Sequence, residues 1–220
     1  VKRHVFISRK PSDCESIRAF LPSYAEVNAH SLIETTPIPF DKNIPQTDWI
    51  FFSSSNAVRH FFAQAPIISN QKIGAIGEGT AKTIEEFCSV DFVGDAIDIT
   101  DSAYRFAECI GSGKVLFPCA AESLRHIQSA LRAEQVIEIP VYSTTEKKVS
   151  IPDCDVYVFS SPSNVRSFFK NTTPTQALKS VAFGEATRDE LIKHGVTNIL
   201  IPTSLEPHSI AHTIIQQLEG

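Results

Sequence analysis

Short apolar runs rich in β-branched and aromatic residues alternate along this chain with longer stretches whose apolar residues recur at helical spacing. The runs predict strands over 3–8, 26–33, 48–53, 72–76, 90–93, 114–118, 136–140, 155–160, 180–183 and 197–201. The amphipathic stretches predict helices over 12–21, 56–65, 78–88, 102–109, 121–133, 163–170, 185–194 and 207–218. A strand followed by a helix and then another strand returns parallel to the first. The alternation therefore predicts an α/β fold of parallel sheets covered on both faces, its ten strands dividing into two sheets of five.

The pattern is duplicated. DWIFFSSSNAVRHFF at 48–62 aligns without gaps on DVYVFSSPSNVRSFF at 155–169, an offset of 107, with Asp48, Phe52, Ser53, Ser54, Val58, Arg59, Phe61 and Phe62 all matched. The same offset carries AIGEGTAKTI at 75–84 onto AFGEATRDEL at 182–191, so the interval between the motifs is equal in both copies. A weaker match at a slightly larger offset sets HVFIS at 4–8 against KVLFP at 114–118. Two Pro- and Thr-rich stretches, 34–47 and 140–153, interrupt the alternation at equivalent places and predict linkers. If the second strand of each copy runs into a linker, its first two strands belong to one domain and its next three to the other. The expected organisation is a discontinuous α/β domain of residues 1–35 and 148–220, a continuous one of 41–140, and linkers at 36–40 and 141–147.

Composition narrows the classes. With 42% hydrophobic and 20% charged residues the chain is of ordinary globular make-up, and no stretch approaches the ~20 consecutive apolar residues of a spanning helix. The opening VKRHVFISRK lacks the apolar core and cleavage site of a secretory signal, so a cytoplasmic protein that binds no membrane is expected. Five cysteines without a C-x-x-C pair predict reduced, structural thiols. A net charge of −5 and the lack of a basic run argue against nucleic acid as partner. His208 and His212 stand four apart beside Glu206, a spacing that suits a metal on one helical face, but no third ligand accompanies them and no metal is expected.

The chemistry-bearing motifs lie where strands end. Each F-S-S motif closes a predicted strand and enters a helix, where a serine can cap free N–H groups. The Gly77–Thr80 and Gly184–Thr187 turns repeat the arrangement at the next strand end. Strand C-terminal ends form the usual ligand crevice of a parallel sheet, and helix N-termini there favour anions. An acidic protein can thus hold a ligand with many carboxylates on amides and hydroxyls. G-x-S-x-G, G-x-G-x-x-G and G-x-x-x-x-G-K-[ST] are missing, which leaves serine hydrolysis and nucleotide binding without support.

Taken in order, FISRKP, FSSSNAV, GEGTA, VYST, FSSPSNV and GEATR resemble the motif series of the uroporphyrinogen-III synthase family over nearly the whole chain. The resemblance implies two flavodoxin-like parallel-sheet α/β domains joined by a two-stranded linker, a substrate held between them, no metal and no cofactor. It implies cyclisation of hydroxymethylbilane, a linear tetrapyrrole with eight carboxylates, to uroporphyrinogen III with inversion of ring D and loss of water in haem biosynthesis, by a protein expected to be a monomer. Carried over residue by residue, it makes Tyr142 the catalytic group that assists loss of the hydroxyl. Arg9, Ser54, Ser55, Asn56, Thr80, Ser161, Ser163 and Thr187 are the substrate-binding positions. The chain departs from the family after LFPC, where AAESLRHI offers only Arg125 in place of the family arginines, and at Asn56, where an arginine is frequent. A non-catalytic two-domain protein that binds an anionic small molecule accounts equally for the repeat and the linkers.

Overall fold

The computed structural model describes residues 1–123, 125–173 and 177–220. In chain order its strands are β1 (Arg3–Ile7), β2 (Ala25–Ala29), β3 (Ile33–Pro37), β4 (Trp49–Phe52), β5 (Lys72–Ala75), β6 (Phe92–Val93), β7 (Val115–Ala120), β8 (Val136–Glu146), β9 (Val156–Phe159), β10 (Lys179–Ala182) and β11 (Asn198–Leu200). Its α-helices are α1 (Glu15–Arg18), α2 (Ser55–Phe62), α3 (Glu78–Ile84), α4 (Ile99–Ile110), α5 (Pro162–Asn171), α6 (Glu185–Lys193) and α7 (Pro207–Glu219). They fall into two compact units, one of Val1–Glu34 and Thr145–Gly220, the other of Thr35–Thr144.

The first unit holds a sheet ordered β2-β1-β9-β10-β11, every neighbouring pair parallel. Its central strand β9, VYVF, is buried along its whole length, because helices cover both faces and a strand so placed exposes neither set of side chains. Successive side chains point to opposite faces. Val5, Ile7, Val156, Val158 and Val181 accordingly pack on one side with α7 residues Ile210 and Ile214, while Phe6, Tyr157, Phe159 and Ala182 pack on the other with Val165 and Phe168 of α5.

The second unit is built in the same way. Its sheet runs β3-β8-β7-β4-β5-β6, with parallel pairing from β8 through β6. Trp49, Phe51 and Phe117 face α4, whereas Ile50, Phe52 and Leu116 face α2 and α3. Set β1 on β7, β2 on β8, and β9 to β11 on β4 to β6, and the five shared strands have the same spatial order in both sheets. The first sheet therefore takes two strands from one sequence copy and three from the other; the second takes two and four, since β3 adds a sixth strand to the five expected.

Four expectations need correction. The strand expected over 26–33 is two strands in different sheets, β2 and β3. Leu32, between them, has both backbone groups engaged by α5: Asn164 Oδ1 accepts its N–H at 2.9 Å and Ser167 Oγ donates to its carbonyl at 2.7 Å. Strand pairing ends where those side chains take over. The helix expected over 12–21 shortens to a 3-10 turn, Pro11–Cys14, followed by α1. The helix expected over 121–133 does not form; Leu124 lies outside the described residues, and the later part of the segment holds 3-10 turns at Gln128–Ala130 and Ala133–Gln135. Arg125 has φ +56°, in the left-handed region, which a continuous right-handed helix excludes. Its guanidinium meets Glu138 at 2.7 Å, and Gln128 donates to the same carboxylate at 3.1 Å, so the segment is engaged by a partner outside it. Finally, the strand expected over 136–140 runs on to Glu146, past a register shift at Cys119/Ala120 that keeps Ala120 opposite Tyr142.

Candidate active site

In the second unit the candidate residues gather at the C-terminal ends of adjacent strands. Ser54 follows β4, keeps an extended backbone and caps α2, its Oγ accepting the Ala57 N–H at 3.1 Å. That oxygen lies 3.3 Å from Tyr142 Oη, so the side chain that starts the helix also touches the phenol. Ser55 Oγ donates to the Gly79 carbonyl at 3.1 Å, and Thr83 Oγ1 donates to Ser55 Oγ at 3.0 Å, which ties the start of α2 to α3. Asn56, partly buried, occupies the next position of α2. Thr80 is 7% exposed in the first turn of α3. Gly77, which has no side chain to offer, is the cap residue there, and the Thr80 N–H bonds to the Gly77 carbonyl at 3.0 Å. A hydroxyl at this place is thus not the helix cap.

Tyr142 is 7% exposed and belongs to the apolar cluster under α2 and α3. Burial pushes its phenol above the ordinary tyrosine range, while the Ser54 hydrogen bond pulls in the opposite direction. The group is protonated at neutral pH. Its ring is stacked by the His60 imidazole, with centroids 5.2 Å apart and planes 19° from parallel. His60 Nε2 in turn shares a hydrogen bond of 2.9 Å with Thr35 Oγ1. Burial holds His60 below the usual histidine value. Sequence reasoning missed His60; its signal was a mismatch between the copies, since the repeat aligns it with Ser167.

The first unit repeats the geometry with different polar partners. Ser161 caps α5, accepting the Asn164 N–H at 3.3 Å and its Nδ2 at 2.9 Å. Ser163 Oγ accepts from Arg166 Nη2 at 3.2 Å. Thr187, 4% exposed, stands in the first turn of α6 behind Gly184, as Thr80 does behind Gly77. At the neighbouring strand ends Ser8 Oγ accepts the Ser160 N–H at 2.8 Å, and Ser160 Oγ donates to the Ser8 carbonyl at 2.8 Å. Arg9 follows at the end of β1, its guanidinium 4.6 Å from the Phe183 ring centroid. Burial lowers its pKa, yet a guanidinium stays cationic. Of the predicted residues, Ser54 and Tyr142 are joined by a side-chain hydrogen bond; the others in each unit stand at adjacent strand ends.

Other groups are committed elsewhere. Arg125 is paired with Glu138. All five cysteines are unpaired, and burial pushes the Cys119 thiol up to about 11, which keeps it from acting as a thiolate. Among the described residues no group of three or more His, Cys, Asp or Glu side chains converges as a metal set, and no helix is long and apolar enough to cross a membrane.

Comparison with known proteins bears on this arrangement. The family model described as uroporphyrinogen-III synthase HemD matches residues 23–211. A curated relative, the porphyrin biosynthesis protein HemD of Ruminiclostridium josui, is 27% identical across 82% of this chain and 42% of its own length. The chain thus spans less than half of that relative. Uroporphyrinogen-III synthetase from Helicobacter pylori superposes with a TM-score of 0.66 at 16% identity, over 98% of this chain and 100% of the other. A mutant uroporphyrinogen III synthase from Thermus thermophilus gives 0.63 at 16% identity over 99% of both chains. At these identities the two structures speak to the fold alone.

Proposed function

The chain belongs to the uroporphyrinogen-III synthase family, and from that premise we propose that it converts hydroxymethylbilane to uroporphyrinogen III, inverting ring D and releasing water. The observation that carries the chemical assignment is the Ser54–Tyr142 contact. Ser54 Oγ accepts from the Ala57 N–H, and in this reading it gives its own proton to the phenol oxygen. The phenol O–H is then left as the donor toward a ligand. Tyr142 donates its proton to the terminal hydroxyl of the bilane, which departs as water and leaves an electrophilic azafulvene. The developing phenolate accepts from Ser54. Ring D attacks through its substituted α carbon, and the spiro intermediate fragments and recloses with that ring inverted. The proton lost as the macrocycle regains aromatic pyrroles balances the one given up by the phenol.

Without a protein the other α carbon closes the ring, so the main task is to hold the less accessible closure geometry. Hydroxyls at strand ends suit this, because they bind carboxylates without a large positive charge. In this reading the carboxylate-binding positions of the second unit are Ser54, Ser55, Asn56 and Thr80, and those of the first are Arg9, Ser161, Ser163 and Thr187. The order β2-β1-β9-β10-β11, repeated with chain permutation in the second sheet, supports two flavodoxin-like domains, with 36–40, which takes in the end of β3, and 141–147, which takes in the end of β8, as the two-stranded linker. We place the activity in the cytoplasm and in a monomer; the five unpaired thiols suit a reducing compartment. Family membership weighs against the non-catalytic binding protein, which would hold the bilane without turning it over.

The test is product isomer analysis with hydroxymethylbilane supplied. Type III product is expected at a rate well above the spontaneous reaction. Uninverted product alone, at the uncatalysed rate, would overturn the proposal.

A further inference from the structure

We propose that His60 is a positioning residue for Tyr142, holding the phenol against Ser54 by stacking on its ring while its own imidazole is anchored on Thr35. This rests on the reading of Tyr142 as the proton donor. A tyrosine side chain turns about two torsions, and the Ser54 contact constrains only its tip, at a length of 3.3 Å that is loose for two hydroxyls. The ring needs a second constraint. His60 supplies it from the same helix that Ser54 caps, with near-parallel rings 5.2 Å apart. The imidazole cannot slide freely, because Nε2 is tied to Thr35 Oγ1 at 2.9 Å and burial favours its neutral form.

The duplication makes the assignment specific. Between the copies α2 and α5 share their serine caps, Val58 with Val165, Arg59 with Arg166, and the Phe-Phe pair; they differ next to the cap, at Ser55 against Pro162 and Asn56 against Ser163, and further along at two positions, Ala57 against Asn164 and His60 against Ser167. In the first unit those two positions serve backbone, since Asn164 and Ser167 hold the N–H and carbonyl of Leu32. In the second unit they serve a side chain. Ala57 is a fully buried member of the cluster that contains Tyr142, and His60 lies on the tyrosine ring. One copy of the helix latches a turn, and the other orients a phenol.

The experiment combines His60→Ala, His60→Phe, Thr35→Val and Tyr142→Phe, singly and as the His60→Ala/Tyr142→Phe pair, in single-turnover assays on hydroxymethylbilane. Misplacing a reacting group by about 1 Å can cost on the order of a hundredfold. His60→Ala is therefore expected to slow turnover roughly ten- to a hundredfold with KM little changed. His60→Phe, which keeps a stacking ring, should recover most of the rate, and Thr35→Val should lose less than His60→Ala. In the Tyr142→Phe background His60→Ala should cost nothing more, because a residue acting through the phenol has no phenol to act on. The Tyr142 ring proton resonances should move downfield in His60→Ala as the stacked imidazole is lost. Should His60→Ala prevent folding, His60→Phe and Thr35→Val carry the same comparison. An equal loss in the wild-type and Tyr142→Phe backgrounds, or no loss in either, overturns the positioning role alone. Full turnover by Tyr142→Phe overturns the proton-donor reading, and the positioning role falls with it.

Discussion

Replacing Tyr142 by phenylalanine removes one oxygen from a side chain that is 7% exposed, and separates two explanations of why a tyrosine stands there. If the residue only packs, its value lies in the ring. The ring contacts with His60 and with the apolar cluster of α2 and α3 survive the change. What is lost is one hydrogen bond to Ser54 Oγ at 3.3 Å, longer than the usual hydroxyl pair and worth ~0.5–1.5 kcal/mol at most. Part of that is returned, since a phenylalanine has no hydroxyl to desolvate. The expected stability change is therefore under ~1 kcal/mol, a shift of roughly 4 °C or less in melting temperature for a chain of this size. If the phenol is the proton donor, turnover falls ~10²–10⁴-fold, equivalent to about 2.7–5.5 kcal/mol in the barrier. The two magnitudes do not overlap. Rapid-quench single turnovers with isomer analysis, beside thermal melts of the same preparation, decide between them. A variant that keeps full turnover, or one whose activity falls only in step with its stability, refutes the assignment.

Thr80→Ala and Thr187→Ala each remove a hydroxyl from the first turn of a helix that a glycine caps, so both variants should fold normally and turn over roughly ten- to a hundredfold more slowly, the value of one hydrogen bond to a carboxylate; equal losses in denaturation midpoint and rate would return them to a structural role. Gly74→Ala would set a Cβ 2.6 Å from Phe51 Cδ2 and 3.4 Å from Phe106 Cε2, both rings fully buried, and should lower the urea midpoint by an amount equivalent to ~1–3 kcal/mol; an unchanged midpoint would mean that the aromatic layer yields. Burial depresses the His60 pKa in the folded state, so the unfolded chain takes up the proton first. The stability this histidine contributes is complete above its unfolded value of about 6.5 and is lost as pH falls through the folded one. His60→Phe cannot take up that proton, and its stability should decline less than that of the parent between neutral pH and the acid limb; parallel pH curves would contradict the shift.

Local pattern carried much of this protein. Alternation of strand and helix periods follows from short-range geometry, and so the α/β class and the parallel sheets were legible. The serine caps at Ser54 and Ser161 were legible for the same reason, because a cap bonds an N–H three residues away. The duplication was legible in matched residues at a constant offset. Other features depended on residues far apart in the chain. That 26–33 breaks into strands of two sheets is decided by Asn164 and Ser167, more than 130 positions later. In place of the helix expected over 121–133, Arg125 and Gln128 engage Glu138, which lies outside that segment. His60 had no motif of its own, and it acquires meaning only because β8 brings Tyr142 beside α2, with Thr35 of β3 on the other side of the imidazole. Sequence determines which backbone geometry each segment prefers, since those energies are summed over neighbours. Which side chains meet at the strand ends is decided by tertiary packing, where a contact's energy comes from burial and hydrogen bonding with partners that the order of residues does not name.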